Sequence, residues 1–281
     1  MSSIALVTGC STGIGLRTAA TLARHGYQVH AGVRSPERAT ELNAEAAGSP
    51  DTLRVIPLDV TDPGSVTAAV AGCGTPEVVV NNAGIGMFGA VETIPDEDLR
   101  LVFDTNYFGA LAVIREALPG MRRRGSGVIV NIGSVDACLP GRPMTWSYAA
   151  SKHALGVASE GLALEVENVG IRVRQLDPGF FATSIRDNRM RRDSGAGDGP
   201  YAPFREAMDA AVAASVAGAA DPQQVADAVL DAVTDERTFP VRRLVGADAE
   251  QAVAEARELD EATAARRWQE AIGLGRHDGG G

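Results

Sequence analysis

Short apolar, β-branched runs alternate along the chain with longer stretches whose apolar positions recur every three to four residues. The runs at 4–8, 28–33, 53–58, 77–81, 127–132 and 171–176 predict strands. The stretches at 13–25, 36–47, 62–71, 96–124 and 148–168 predict helices. Val78-Val79-Val80 and Val128-Ile129-Val130 are apolar at consecutive positions, as strands covered on both faces must be. Alternation of this kind predicts a doubly wound α/β domain: a parallel sheet between two helical layers, a three-layer sandwich with right-handed crossovers. No composition break marks a linker and no segment repeats, so residues 1–281 read as one domain. The polar, glycine-rich stretch at 186–200, with Arg189, Arg191 and Arg192, reads either as part of a mobile loop at about 180–215 or as a plain surface excursion. The tail after residue 276 is expected to fray.

Composition narrows the function without naming it. With 45% hydrophobic and 22% charged residues among 281, the chain can bury a core and is neither disordered nor collagen-like. Its formal charge of -10 disfavours nucleic acid as a partner. Cys10, Cys73 and Cys138 are odd in number and lack Cys-x-x-Cys spacing, which points to a reducing compartment without a zinc cluster. His25, His30, His153 and His277 have no metal-ligand spacing either, so no metal is expected. With no leader pattern and no uncharged apolar run of about 18 residues, the expectation is a cytoplasmic protein without a membrane partner.

Candidate chemistry begins where the first strand ends. Thr8-Gly9-Cys10-Ser11-Thr12-Gly13-Ile14-Gly15 lies between a predicted strand and a predicted helix. Glycines there let the backbone turn sharply and approach a pyrophosphate, which the amides of the helix start then face. A glycine-rich tight turn is the plainer alternative, and the strand-to-helix setting favours the nucleotide site. The second strand ends in Val33-Arg34. No acidic residue stands there to bind an adenosine ribose, and the Arg34 fork suits a 2′-phosphate unless it is merely solvated. The expected cofactor is NADP(H).

Tyr148 and Lys152 stand four residues apart at a predicted helix start, so both side chains share one face. A phenol, ordinarily near pKa ~10, gains acidity from a neighbouring cation. Such a pair is common on protein surfaces; its setting is what distinguishes this one. Ser134 follows the strand at 127–132, beyond whose carboxyl end ligands of an open α/β sheet bind, so Ser134 and Tyr148 could donate to one carbonyl oxygen. Asn82-Ala83-Gly84 ends another strand or forms a simple turn, and Asn106 sits as an amide within an otherwise apolar helix pattern.

Together the Gly-x-x-x-Gly-x-Gly loop, Asn81-Asn82-Ala83-Gly84, Asn106, Ser134, Tyr148-x-x-x-Lys152 and Pro178-Gly179 resemble the short-chain dehydrogenases/reductases over about 4–245. The likeness is nearest to the branch containing hydroxysteroid dehydrogenases. The serine-to-tyrosine spacing of 14 is one longer than the usual value of about thirteen. The resemblance implies a single Rossmann-type domain, with the loop at about 180–215 over the substrate. It also implies carbonyl–alcohol interconversion, in reduction with Tyr148 as proton donor, Ser134 orienting the oxygen, Lys152 holding the ribose, and Asn106 relaying protons through a water. Asp59 and Val60 resemble an adenine-contacting pair, although Asp59 could equally cap the next helix. Pro178, Gly179 and Thr183 fall on the nicotinamide side. Met87, Phe88, Leu139, Met144, Trp146, Phe180 and Phe181 lie near strand-end loops and suggest an apolar pocket or plain packing. A homodimer or homotetramer is expected from the small-residue helix at 148–166. The competing readings are a nicotinamide-nucleotide-binding regulator without turnover and a nucleotide-linked epimerase or dehydratase.

Overall fold

The structure, a computed structural model, describes residues 3–183 and 199–271. Seven parallel strands form one sheet in the order β3-β2-β1-β4-β5-β6-β7. They are β1 (Ile4–Thr8), β2 (Gln28–Val33), β3 (Leu53–Pro57), β4 (Val78–Asn81), β5 (Gly127–Ile132), β6 (Ile171–Pro178) and β7 (Arg242–Val245). The order reverses between β1 and β4, which register Leu6 against Val79. The fold is a Rossmann-type α/β sandwich.

The two-residue side-chain period of a strand distributes the consecutive apolar runs between two layers. Ala5, Val7, Val78, Val80, Val128 and Val130 pack on one face. They meet Leu16, Ala19 and Leu22 of α1 (Gly13–Arg24) and Leu42 of α2 (Thr40–Gly48). On the other face Leu6, Val79 and Ile129 meet Val66 and Val70 of α3 (Pro63–Cys73). Runs that are apolar at every position are therefore the signature of a sheet with no wet side.

Two helical stretches differ from the pattern reading. The helix expected over 96–124 is divided into α4 (Asp96–Phe103) and α5 (Gly109–Arg124) by a π-helical turn, Asp104–Phe108, that contains Asn106. Ile114, Ala117 and Met121 of α5 join the second layer, as do Ala163 and Val166 of α6 (Trp146–Val166). Within the stretch expected as a mobile loop, α7 (Ala202–Ala217) is helical, with Phe204 and Met208 packed against Met144 and Ala90. Residues 184–198, including Arg189, Arg191 and Arg192, and the expected frayed tail after 276 lie outside the described residues.

The sequence pattern assigns no strand or helix past residue 176. There α8 (Gln223–Thr234) packs Val225, Val229 and Val233 into the first layer, and β7 extends the sheet beside β6. α9 (Ala247–Glu258) and α10 (Glu261–Ala271) follow. Among the described residues no helix is long and apolar enough to cross a membrane.

Ile129 is fully buried at the sheet centre, whereas Val91 is 74% exposed. Ile129→Ala is expected to cost about 3 kcal/mol of unfolding free energy, and Val91→Ala less than about 0.5 kcal/mol, both measured by urea unfolding.

Candidate active site

The carboxyl ends of β1 and β4 are clasped by hydrogen bonds between two of the motifs. Thr8 Oγ1 accepts from the Asn82 amide at 3.1 Å and the Ala83 amide at 3.0 Å. The Asn82 side chain donates back to the carbonyls of Thr8 and Gly9, each at 2.9 Å. This approach leaves no room for side chains at two glycines. A Cβ on Gly9 would stand 2.7 Å from Ala83 Cα, and one on Gly15 would stand 2.3 Å from the Gly9 carbonyl oxygen. Those glycines are thus required by packing within the chain before any ligand is considered.

Beyond the clasp opens a cleft of about 440 Å³. The start of α1 faces it through Gly13, Ile14 and Gly15, with Ser11 and Thr12 beside them. That helix has no side-chain cap bond at its N-cap and no acidic residue in its first turn. Arg34 lines the same cleft at the end of β2, exposed, as do Asp59 and Val60 after β3. Asp59 does not cap the following helix: its carboxylate accepts from Thr61, while Asp62 caps α3 through the Gly64 amide at 2.9 Å. Asn82, Ala83, Gly84, Pro178, Gly179 and Thr183 line the cleft too.

At its other end the cleft reaches Ser134, Tyr148 and Lys152. Ser134 follows β5, and its hydroxyl oxygen accepts from the Asp136 amide at 3.2 Å. Lys152 is 3% exposed and donates to the Ile132 carbonyl at 2.8 Å. Its ammonium nitrogen lies 6.0 Å from the centre of the Tyr148 ring. Asn106 does not line the cleft. It lies behind it, its side chain accepting from the Ile85 amide at 2.8 Å and donating to the Ile85 carbonyl and Ser151 Oγ, each at 3.0 Å. Ser151 in turn donates to the Tyr148 carbonyl at 2.7 Å. The π turn therefore ties the loop after β4 to the first turn of α6.

Burial decides the acid–base state here. It pushes the Tyr148 phenol up to about 12, against a hydrogen bond with Ser134 that lowers it, and the Asp177 carboxylate adds to the rise. This differs from the expected acidification by Lys152. The same desolvation brings Lys152 down to about 8, opposed by Asp177, so the cation is itself weakened where it was to act.

Residues 3–194 match the model of the short chain dehydrogenase family. The chain is a member of that family. The oxidoreductase YusZ of Bacillus subtilis, named as uncharacterized, is 35% identical over 250 residues, 86% of this chain and 89% of the relative. Retinol dehydrogenase 8 of Homo sapiens is 36% identical over 258 residues, 85% of this chain and 79% of the relative. A solved short-chain dehydrogenase from Streptomyces avermitilis superposes with a TM-score of 0.77 at 32% identity, covering 98% of each chain.

As a short-chain dehydrogenase the protein is an oxidoreductase of a family that uses nicotinamide cofactors, and its residues fit such a group. The start of α1, with no acidic residue in its first turn, opens into the cleft as an anion site, and Tyr148 and Lys152 line the same cleft. Among the described residues no cluster of His, Cys, Asp or Glu could hold a metal ion. Of the aromatic and aliphatic residues singled out for a pocket, Met87, Phe88, Phe180 and Phe181 line the cleft. The others pack elsewhere: Met144 with Ala90 and Met208, Leu139 with Val135 and Val253, while Trp146 donates to the Gly89 carbonyl at 3.1 Å.

Two charged residues at this site were missed in the sequence. Asp177, 1% exposed, precedes Pro178 and accepts from the Ser134 amide at 3.2 Å. Arg242 of β7 reaches it at 2.9 Å. The Asp-Pro-Gly string reads locally as a turn, and only the rare setting of an acidic residue at the end of an apolar strand hinted at more.

The Lys152 shift has a definite sign in stability. The folded chain releases this proton near pH 8 and the unfolded chain near 10.5, so stability rises with pH across that window. Between pH 8 and 9.5 the wild type is expected to gain about 1.5 kcal/mol relative to Lys152→Met, measured by urea unfolding of both.

Proposed function

We propose that the protein is an NADP(H)-dependent reductase that converts the ketone of a largely apolar small molecule to a secondary alcohol, or runs the same step in reverse. The observation that carries this reading is the convergence of Ser134, Tyr148 and Lys152 at one end of a cleft whose other end holds the α1 amides and Arg34. When bound there, the nicotinamide supplies the hydride of the reduction. The α1 amides of Gly13, Ile14 and Gly15 would hold its pyrophosphate, Arg34 a 2′-phosphate, and Asp59 and Val60 the adenine end. Lys152 would hold the ribose beside the ring, with Gly9, Asn82, Ala83 and Gly84 supporting, and Pro178, Gly179 and Thr183 the carboxamide side.

Tyr148 is the proton donor in this reading. A phenol pushed up to about 12 carries its proton at neutral pH, the state a general acid needs. Ser134 orients the substrate oxygen by a hydrogen bond from its hydroxyl. Lys152, down to about 8 and still mostly charged at neutral pH, offsets the phenolate that forms. Asn106 holds the start of α6 through Ser151 and supports return of the proton. Met87, Phe88, Leu101, Phe180, Phe181 and Val212 give the cleft an apolar wall, and Asp136 in the same lining is paired with Arg142. That wall, together with a relative named for retinol, supports an apolar substrate.

The same reading has the enzyme acting in the cytoplasm as a homodimer or homotetramer. Free Cys10, Cys73 and Cys138 support the compartment. Val157 and Leu164, seven residues apart on α6 and 55% and 64% exposed, support association through that helix.

NADPH oxidation with a panel of apolar ketones tests the activity. Tyr148→Phe is expected to lower kcat/KM by about 10³-fold while the NADPH Kd changes less than about 3-fold; near-normal turnover would refute the donor assignment. Arg34→Asp is expected to raise the NADPH Kd by about 30-fold and leave that for NADH within about 3-fold. Equal changes for the two cofactors would remove the 2′-phosphate argument.

A further inference from the structure

Directly behind Ser134 lies an ion pair, its carboxylate buried and its guanidinium partly buried, that the proposed mechanism does not use. Asp177 Oδ1 accepts from the Ser134 amide at 3.2 Å and from the Gln175 side chain at 2.9 Å. Its Oδ2 accepts from Arg242 Nε and Nη2, each at 2.9 Å. The fit depends on the neighbouring glycine, since a Cβ on Gly133 would stand 2.0 Å from Asp177 Oδ1. Arg242 lies beyond residues 3–194, so this pair is not part of the family match.

A buried ion pair adds little net stability over an apolar replacement of the same volume, so its place must be judged by what it does to its neighbours. Two kinds of neighbour are present. Ser134 is strapped through its backbone, and Tyr148 and Lys152 of α6 both feel the Asp177 charge. The other groups facing the pair are Cys138, whose sulfur lies 3.0 Å from Arg242 Nη2, and Glu160 of α6, 3.9 Å from Arg242 Nη1. Arg257 of α9 acts on Cys138, and Asp248 of α9 binds the Phe180 amide at 2.7 Å, three residues further along the chain from Asp177. Of these, only Asp177 both touches Ser134 and is closed off from water.

We propose that Asp177 and Arg242 are a positioning pair for the candidate acid–base group. Asp177 fixes Ser134 through its backbone N–H and supplies the negative charge felt by Tyr148 and Lys152, and Arg242 holds that carboxylate in place and partly offsets its charge. The pair's effect on turnover rests on the proposed reductase activity; its effect on Lys152 does not. Asp177→Asn separates the two roles, because the amide oxygen can still accept from Ser134 while the charge is gone.

The test follows the ¹³Cε shift of Lys152 against pH in the full chain without cofactor, assigned by its loss in Lys152→Met. Asp177→Asn is expected to lower the Lys152 midpoint by at least about 0.5 pH unit from about 8. Arg242→Met, which leaves the carboxylate uncompensated, is expected to raise it, and Arg242→Lys to restore it. In ketone reduction, Asp177→Asn is expected to move the alkaline limb of kcat to lower pH by at least about 0.5 unit, with KM within about 3-fold. Midpoints that stay within about 0.2 unit of wild type in whichever of Asp177→Asn and Arg242→Met folds would make the pair a structural tie and overturn the proposal. A wild type that reduces no ketone would count against the reductase reading alone, with the Lys152 midpoints still deciding the pair.

Discussion

The site depends on the clasp at the reversal of strand order. Between β1 and β4 the connections leave in opposite directions, so a crevice opens beyond the carboxyl ends of these paired strands and a ligand can enter. Where the two strands end and their loops diverge, backbone donors and acceptors are left that must be satisfied. Thr8 and Asn82 satisfy them across the gap, and in doing so draw the glycine loop against the start of the Asn-Ala-Gly turn. The cleft exists because the two loops are tied at their bases and free at their rims. Gly9 and Gly15 are as much a consequence of this tie as of anything the cleft binds.

Closing the far end of the cleft against water then sets the chemistry. A single cause, desolvation, moves two groups in opposite directions, because it disfavours the charged form of each. Tyr148 keeps its proton more firmly and Lys152 holds its own less firmly. Their ordinary pKa values nearly coincide, with the lysine slightly above, and burial drives them apart in the reverse order, so the phenol becomes the firmer holder of the two. Spacing along the helix brings the pair together, but burial decides how firmly each holds its proton. The Asp177 charge beneath them acts on both.

Much of the cleft was legible from short-range pattern. Tyr148 and Lys152 are one helical turn apart, and Ser134 stands at the end of a strand whose apolar run is unmistakable, so chain order and period place them on one rim. The π turn around Asn106 was not legible, because its extra residue answers to bonds with Ile85 and Ser151 rather than to any local propensity. Nor was the helix α7 over 202–217, whose apolar side chains meet Ala90 and Met144 from distant loops. Arg242 opens a four-residue strand as Arg-Arg and reads as surface; its partner is 65 residues earlier.

By itself, the sequence determined the parallel sheet covered on both faces and the one-turn spacing of Tyr148 and Lys152, because these follow from periods of two and of about 3.6 residues along a single segment, while its resemblance to a family singled out Ser134 beside them. Only the tertiary structure decided which glycines are crowded, that Tyr148 is held protonated rather than acidified, and that Asp177 is joined to Arg242. Those outcomes depend on how closely segments remote in sequence approach and how completely they exclude water, and neither quantity is written in any one stretch of chain.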